Sequence, residues 1–181
     1  MSAPAHGEPV LALERCTLRP WRAEDAQSLA LHANDREVWR NMRDAFPHPY
    51  TLADAHRWLA MARDMQPTTF LAIEVDGAAV GGIGISPQTD VNRRSGEIGY
   101  WLGRSFWNRG ITTEAVRAIT EDAFTRLDLV RVFTGIFAWN AASQRVLEKC
   151  GYEREGVQRR AAFKDGSLVD CVLYARLRPK G

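Results

Sequence analysis

The apolar residues of the chain fall into two rhythms. Thr69-Phe-Leu-Ala-Ile-Glu-Val75 and Ala79-Val-Gly-Gly-Ile-Gly-Ile85 flank Asp76-Gly77, and because Asp-Gly suits a tight type I′ turn the pair reads as a hairpin. The polar, turn-rich stretch Asp90 to Gly96 leads to another antiparallel strand opening at Glu97. Alternation there puts Ile98, Tyr100 and Leu102 on one face and Glu97, Gly99 and Trp101 on the other. Val130 to Ala138 is a near-continuous apolar run, as expected of a strand buried on both sides. Leu13 to Pro20 reads as a first strand. Tyr152 to Gln158 and Leu168 to Leu177 read as a last pair, joined around Lys164-Asp-Gly166.

Between these runs the spacing becomes helical. Arg22-Ala-Glu-Asp25 opens a helix carrying Ala26, Leu29, Ala30 and Ala33 on one face, and Asp35 to Met42 fits a second, short one. Two prolines make Ala45 to Tyr50 a loop. Thr51 then caps a helix whose Ala55, Trp58, Leu59 and Ala62 keep one stripe, with Trp58 read as core, until it ends near Gln66-Pro67. From Thr113 the spacing Ala115, Val116, Ile119, Ala123 predicts a helix to about Leu127, and Ala141 to Lys149 predicts another, with Val146, Leu147 and Cys150 inward and Gly151 ending it. A strand, a helix and a second strand connect right-handedly, so residues 97–103 and 130–138 are expected to be parallel, and if they diverge a cleft opens between them. The order implies an α+β domain with a mixed, mostly antiparallel sheet of about seven strands flanked by helices. Residues 1–9 read as a mobile lead-in, and residues 10–181 as one domain.

Composition narrows the classes. At 181 residues a single domain can bury about 70% of its unfolded surface, and a second has no room. A net charge of +2 provides no global field for nucleic acid or anionic membrane. Arg159-Arg160 and the tail Arg176, Arg178 and Lys180 are the notable basic clusters, read as solvated surface. Cys16, Cys150 and Cys171 are unevenly spaced, which suggests neither a disulfide framework nor a metal site. No run reaches the ~18 apolar residues of a membrane span, and the first residues lack a signal-peptide core, so a cytoplasmic location is expected.

The candidate chemistry lies where the strand opening at Glu97 gives way to the helix. Backbone N–H groups at a helix start have no partner inside it, and the helix dipole adds partial positive charge. Gly110 lets a phosphate approach without a Cβ in the way, and Arg109 adds a cation. For a lone Arg-Gly an ordinary strand-to-helix turn remains the simpler reading. Neither Gly-x-Gly-x-x-Gly nor Gly-Lys-Ser/Thr follows a strand, which removes the dinucleotide and P-loop classes. Trp101, Phe106 and Trp107 have no basic stripe beside them and read as packing and pocket residues rather than base-stacking ones.

Trp107-Asn-Arg-Gly-Ile-Thr-Thr-Glu-Ala115 resembles the pyrophosphate-binding signature of the GNAT superfamily of acetyl-CoA-dependent N-acetyltransferases, in its RimJ/RimL form. The superfamily pattern is Gln/Arg-x-x-Gly-x-Gly/Ala. Trp107 holds the first position, Gly110 the fixed glycine, and Thr112 stands where the family has a smaller residue. Asn140-Ala-Ala-Ser-Gln-Arg-Val-Leu-Glu-Lys-Cys-Gly-Tyr152 is similar to the family segment that follows its fifth strand, and the likeness runs from Leu18-Arg-Pro-Trp-Arg-Ala-Glu-Asp25 to Tyr174-Ala-Arg176.

The resemblance implies a GNAT-like domain with two splayed parallel central strands and acetyl-CoA as co-substrate, with no metal. It implies that Asn108, Arg109, Gly110, Ile111, Thr112 and Thr113 hold the diphosphate, and that the backbone of Tyr100, Trp101 and Leu102 holds the pantetheine arm and polarises the thioester. The helical region before the first hairpin becomes the wall against which the acceptor lies. It implies Glu97 as general base, a residue that reads equally well as a solvated carboxylate. The glutamate that the branch can carry in its last strands is replaced by Ala162. Asn140 can cap its helix, reach the cofactor or do both; the tyrosine that many relatives use as acid is replaced by Leu147, which leaves Ser143 for that role. The acceptor is a primary amine, first a protein N-terminus. The alternatives are a polyamine, amino acid or aminoglycoside, or an acyl-CoA-binding module without catalysis. A homodimer is an expectation by family analogy alone.

Overall fold

The computed structural model describes residues 10–65 and 69–179. The lead-in expected at residues 1–9 and the helix end expected at Gln66-Pro67 lie outside them. Eight strands form one sheet in the order β1-β2-β3-β4-β5-β6-β8-β7. They are β1 (Leu11–Ala12), β2 (Thr17–Pro20), β3 (Phe70–Val75), β4 (Ala78–Pro87), β5 (Ser95–Leu102), β6 (Arg131–Phe137), β7 (Glu153–Lys164) and β8 (Ser167–Leu177). Every neighbouring pair is antiparallel except β5 and β6. The helices are α1 (Ala26–Ala33), α2 (Arg36–Trp39), α3 (Leu52–Asp64), α4 (Ile111–Thr125) and α5 (Ala141–Lys149).

The β3–β4 hairpin turns at Asp76 (φ 50°) and Gly77 (φ 82°), the two left-handed residues that a type I′ turn requires. The first strand differs from expectation. Leu13 N–H bonds to the Cys16 carbonyl at 2.9 Å, so the run folds into a small hairpin, β1 with β2, and the sheet gains an eighth strand. The second short helix is confined to Arg36–Trp39, with Asp35 accepting from Glu37 N–H at 2.7 Å. β7 extends to Lys164 through an irregularity between Gln158 and Ala162, where Arg160 takes φ 53°. β6 is buried on one face only, through Val132 and Thr134, while Gly135 is exposed; the expectation of two covered faces fails because its other face borders the cleft described below.

The sheet has two unlike sides. Behind it, α4 and α5 pack on the main core, which includes Leu18, Leu71, Ile83, Ile98, Leu102, Val116, Ile119, Leu147 and Tyr174. In front, α1 and α3 enclose a smaller core of Ala26, Leu29, Ala33, Tyr50, Ala55 and Leu59, with Trp21, Phe46, Trp58 and Trp101 against it. One buried ion pair ties the front helices to the sheet: Arg19 on β2, 2% exposed, donates twice to Asp25 at 2.8 Å and also bonds Glu74 of β3. Asp25 in turn accepts from Arg22 N–H at 2.8 Å at the turn into α1.

Candidate active site

β5 and β6 stay together for three residue pairs only: Ser95 with Arg131, Gly96 with Val132, Glu97 with Phe133. β5 then continues to Leu102 and β6 to Phe137 without pairing to each other. Beyond Glu97 the β5 edge facing β6 thus has no ladder partner, and its backbone N–H and C=O groups can serve a bound chain instead. Glycines follow the last pair on both strands. A Cβ on Gly99 would meet nothing within 4 Å, and one on Gly135 only Leu173 Cδ2 at 3.6 Å, so no side chain fills the front of the gap at that level.

Tyr100 bounds the gap from behind. Its hydroxyl lies 2.6 Å from Ser143 Oγ on α5, a bond that links β5 to the helix following β6. Burial pushes the Tyr100 phenol well above the ordinary tyrosine value, with the Ser143 bond opposing it, so the hydroxyl keeps its proton at neutral pH. Ser143 is nearly buried, and its N–H donates to the Asn140 side chain at 3.1 Å, which caps α5. Glu97 stands on the opposite, front face of β5 and is exposed. Glu97 and Ser143 therefore lie on opposite sides of the sheet, one facing the front of the gap and the other its back.

Beyond β5 the chain makes a short turn, Arg104 to Phe106, and enters α4. Trp107 Nε1 donates to the Leu102 carbonyl at 2.7 Å, fixing the loop to the end of the strand. Asn108 (φ 60°) and Gly110 (φ 79°) both take the left-handed conformation, and Gly110 is the cap residue of α4 with no side-chain cap bond. The helix begins at Ile111, two residues before the apolar spacing indicates, because Ile111 is itself a buried core residue. The first N–H groups of α4, at Ile111, Thr112 and Thr113, consequently point out of the helix end toward the exposed loop. Arg109 stacks over Phe106 with its guanidinium carbon 5.1 Å from the ring centre.

Sequence reasoning misses two neighbours of this loop. A Cβ on Gly110 would sit 3.4 Å from Arg15 Nε, which brings a second guanidinium beside the helix start. Glu114, in the first turn of α4, accepts from the backbone N–H groups of Glu14 and Arg15 at 3.0 and 2.9 Å, so its carboxylate holds the β1–β2 turn against the loop. These contacts join residues about a hundred positions apart, and no local pattern announces them. The arrangement fits a diphosphate group: left-handed backbone, N–H groups without a helical partner and a helix dipole meet at one exposed loop beside Arg109, with Arg15 close by and bridged to Glu14 at 3.2 Å.

A strand pair that opens beside a cap-free, glycine-led helix start agrees with what similarity finds: the acetyltransferase (GNAT) domain pattern matches residues 15–153. The chain belongs to the GNAT acetyltransferase family. The uncharacterized N-acetyltransferase p20 of Bacillus licheniformis is 30% identical over 93% of this chain and 96% of its own length. The L-amino acid N-acetyltransferase AaaT of Escherichia coli is 28% identical over 82% of this chain and 88% of its own. Mycobacterium smegmatis RimJ, solved in complex with CoA-disulfide, superposes with a TM-score of 0.82 at 26% identity, covering 94% of this chain and 88% of that one. This GNAT protein is an acetyl-CoA-dependent N-acetyltransferase. No described helix is long and apolar enough to cross a membrane.

Proposed function

We propose that the enzyme acetylates α-amino groups, in the first place those at protein or peptide N-termini. The observation that carries this reading is the poverty of the gap in bases. Glu97 is the one carboxylate that β5 and β6 offer on the front face from their last pairs to the glycines, it is exposed, and Ala162 stands where the RimJ/RimL branch can carry a second glutamate. At pH 7 an α-amine with pKa about 8 is neutral roughly one time in ten, whereas a lysine at about 10.4 is neutral less than about once in a thousand, a ratio of roughly a hundred or more. A site with one solvated carboxylate suits the amine that needs less help in losing its proton.

The roles follow from position. Acetyl-CoA supplies an acetyl thioester. The N–H groups of residues 108–113, with Arg109 and Arg15, bind and orient the diphosphate. The unpaired edge of β5 from Gly99 to Leu102 aligns the pantetheine arm and offers N–H groups to the carbonyl oxygen. Glu97, directly or through water, accepts the amine proton, and Ser143, backed by the Tyr100 hydroxyl, donates one to the departing sulfur. A thiolate whose conjugate thiol has a pKa of about 8.5 needs only modest help in leaving. The likeness to AaaT favours a second acceptor, a free amino acid, which presents the same α-amine.

The test is a competition between two peptides of one sequence, the first with a free N-terminus and no lysine, the second N-acetylated with a single lysine. The reading expects kcat/KM for the α-amine to exceed that for the ε-amine at pH 7 by roughly a hundredfold or more, following their neutral fractions. A higher value for the ε-amine overturns it.

A further inference from the structure

The front face of the β5–β6 pair is a groove, and one end of it is closed. β8 pairs Cys171 with Phe137 at the end of β6, so the β7–β8 turn at Asp165 and Gly166 projects beyond that end. There Arg36 of α2 donates to both carboxylate oxygens of Asp165 at 2.9 and 2.8 Å. Lys164 Nζ, 2% exposed with its residue, lies 2.7 Å from Asp44 and 3.7 Å above the Trp39 ring. Trp139 Nε1 donates to Asn41 at 3.2 Å. This clasp ties the segment around α2 to the tip of the last hairpin.

The other end is open. On the face that carries Glu97, Ser95 and its partner Arg131 lie one step further along the pair, and with Phe133, Gln88 and Asn92 they line a concavity of about 220 Å³. Ser95 is four residues before Gly99, or about 13 Å at a strand's rise per residue. Four residues of an extended peptide span that distance. The concavity offers groups that match amides rather than ions. Arg131 gives its charge to Glu155 through two bonds of 2.6 and 2.5 Å and lays its guanidinium 5.7 Å over the Phe133 ring. That leaves the Asn92 carboxamide, the Ser95 hydroxyl and the carboxamide oxygen of Gln88, whose Nε2 donates to the Ser86 carbonyl at 3.3 Å, around a Phe133 ring that lies under the Arg131 guanidinium.

We propose that this concavity is an acceptor subsite holding the fourth residue of an extended peptide, by its backbone amides and a small neutral side chain, while the N-terminal amine reaches the gap between Gly99 and Gly135. The proposal rests on the α-amine reading and adds to it the length of the substrate. A free amino acid is too short to occupy both places.

The test compares a neutral tetrapeptide amide with the amide of its first residue, at saturating acetyl-CoA, in the full chain and in the double variant Gln88→Ala/Asn92→Ala. The expected result is a kcat/KM about tenfold higher for the tetrapeptide in the unaltered protein, the size of one or two hydrogen bonds. The advantage disappears in the variant, while the single-residue amide is unaffected. Calorimetric binding of the N-acetylated tetrapeptide weakens by the same factor in the variant. Equal kcat/KM for the two amides in the unaltered protein overturns the subsite and leaves the α-amine reading standing, and so does an advantage that persists in a variant with unchanged melting temperature. Acetylation of a polyamine or lysine ε-amine with neither amide turned over overturns the α-amine reading, and the subsite with it. The length comparison in the unaltered protein decides the matter even if the variant does not fold.

Discussion

Tyr100 and Ser143 meet across the gap at 2.6 Å, and the bond gives Ser143→Ala two separable consequences. Removing the serine hydroxyl takes away the proposed proton donor, and kcat is expected to fall about tenfold, less than the roughly hundredfold or more usual for a positioned acid because a thiolate leaves readily. The dissociation constant for coenzyme A, by calorimetry, is expected to stay within about twofold, since no diphosphate contact is touched. An unchanged kcat would remove Ser143 from the reaction. Truncation also strips the buried Tyr100 hydroxyl of a partner, at a cost of about 1–3 kcal/mol in stability. Of the residues in this region, Gly110, Asn140 and Ser143 could be singled out in the sequence because they sit in short blocks with fixed spacing. Arg15 and the hydroxyl of Tyr100 could not. Arg15 reaches the α4 loop from a turn near the chain's start, and the Tyr100–Ser143 bond spans 43 positions, distances over which no periodicity carries information.

Among the elements, β2 and the turn into α1 depend on one buried pair. Arg19→Met would leave Asp25, 6% exposed, without its bidentate partner, and uncompensated buried charge costs about 3–5 kcal/mol. Denaturant unfolding that shows less than about 1 kcal/mol of loss would contradict this. α1 also contributes a pH dependence. His32 packs edge-on against Phe106 at 5.4 Å, beneath the turn leading to α4, and burial holds its pKa below the ordinary 6.5. The unfolded chain therefore binds a proton more readily. His32's contribution to stability is complete above about 6.5 and is lost as pH falls below that value toward the lower, folded one. The melting temperature of the unaltered protein is expected to fall over that interval more steeply than that of His32→Leu; parallel curves would exclude the histidine. Elements were legible where local chemistry was strong. Asp76-Gly77 placed the β3–β4 hairpin, and the Thr51 and Asn140 caps placed α3 and α5. β1 has two residues, too few for alternation to show, and the second half of β7 runs through exposed Arg159, Arg160 and Ala161 at a backbone irregularity.

At the scale of the whole molecule the α+β class and the parallel pair could be anticipated, because a strand–helix–strand connection has one favoured hand; the divergence of that pair is implied only by the family resemblance. The place of the last hairpin could not. The C-terminal strand β8 lies beside β6 and leaves β7 at the edge, an arrangement explained by burial: Val169, Val172, Tyr174 and Ala175 of β8 are covered, whereas of β7 only Lys164 is. Splayed strands and a helix start at their mouth are parts of one device, and the account stands on that device holding coenzyme A. The most direct test is a structure of the protein with coenzyme A bound. The account predicts the diphosphate within about 3 Å of N–H groups between residues 108 and 113, with the sulfur in the gap beside Gly99 and Gly135. A diphosphate bound elsewhere, with that gap filled by side chains, would contradict it.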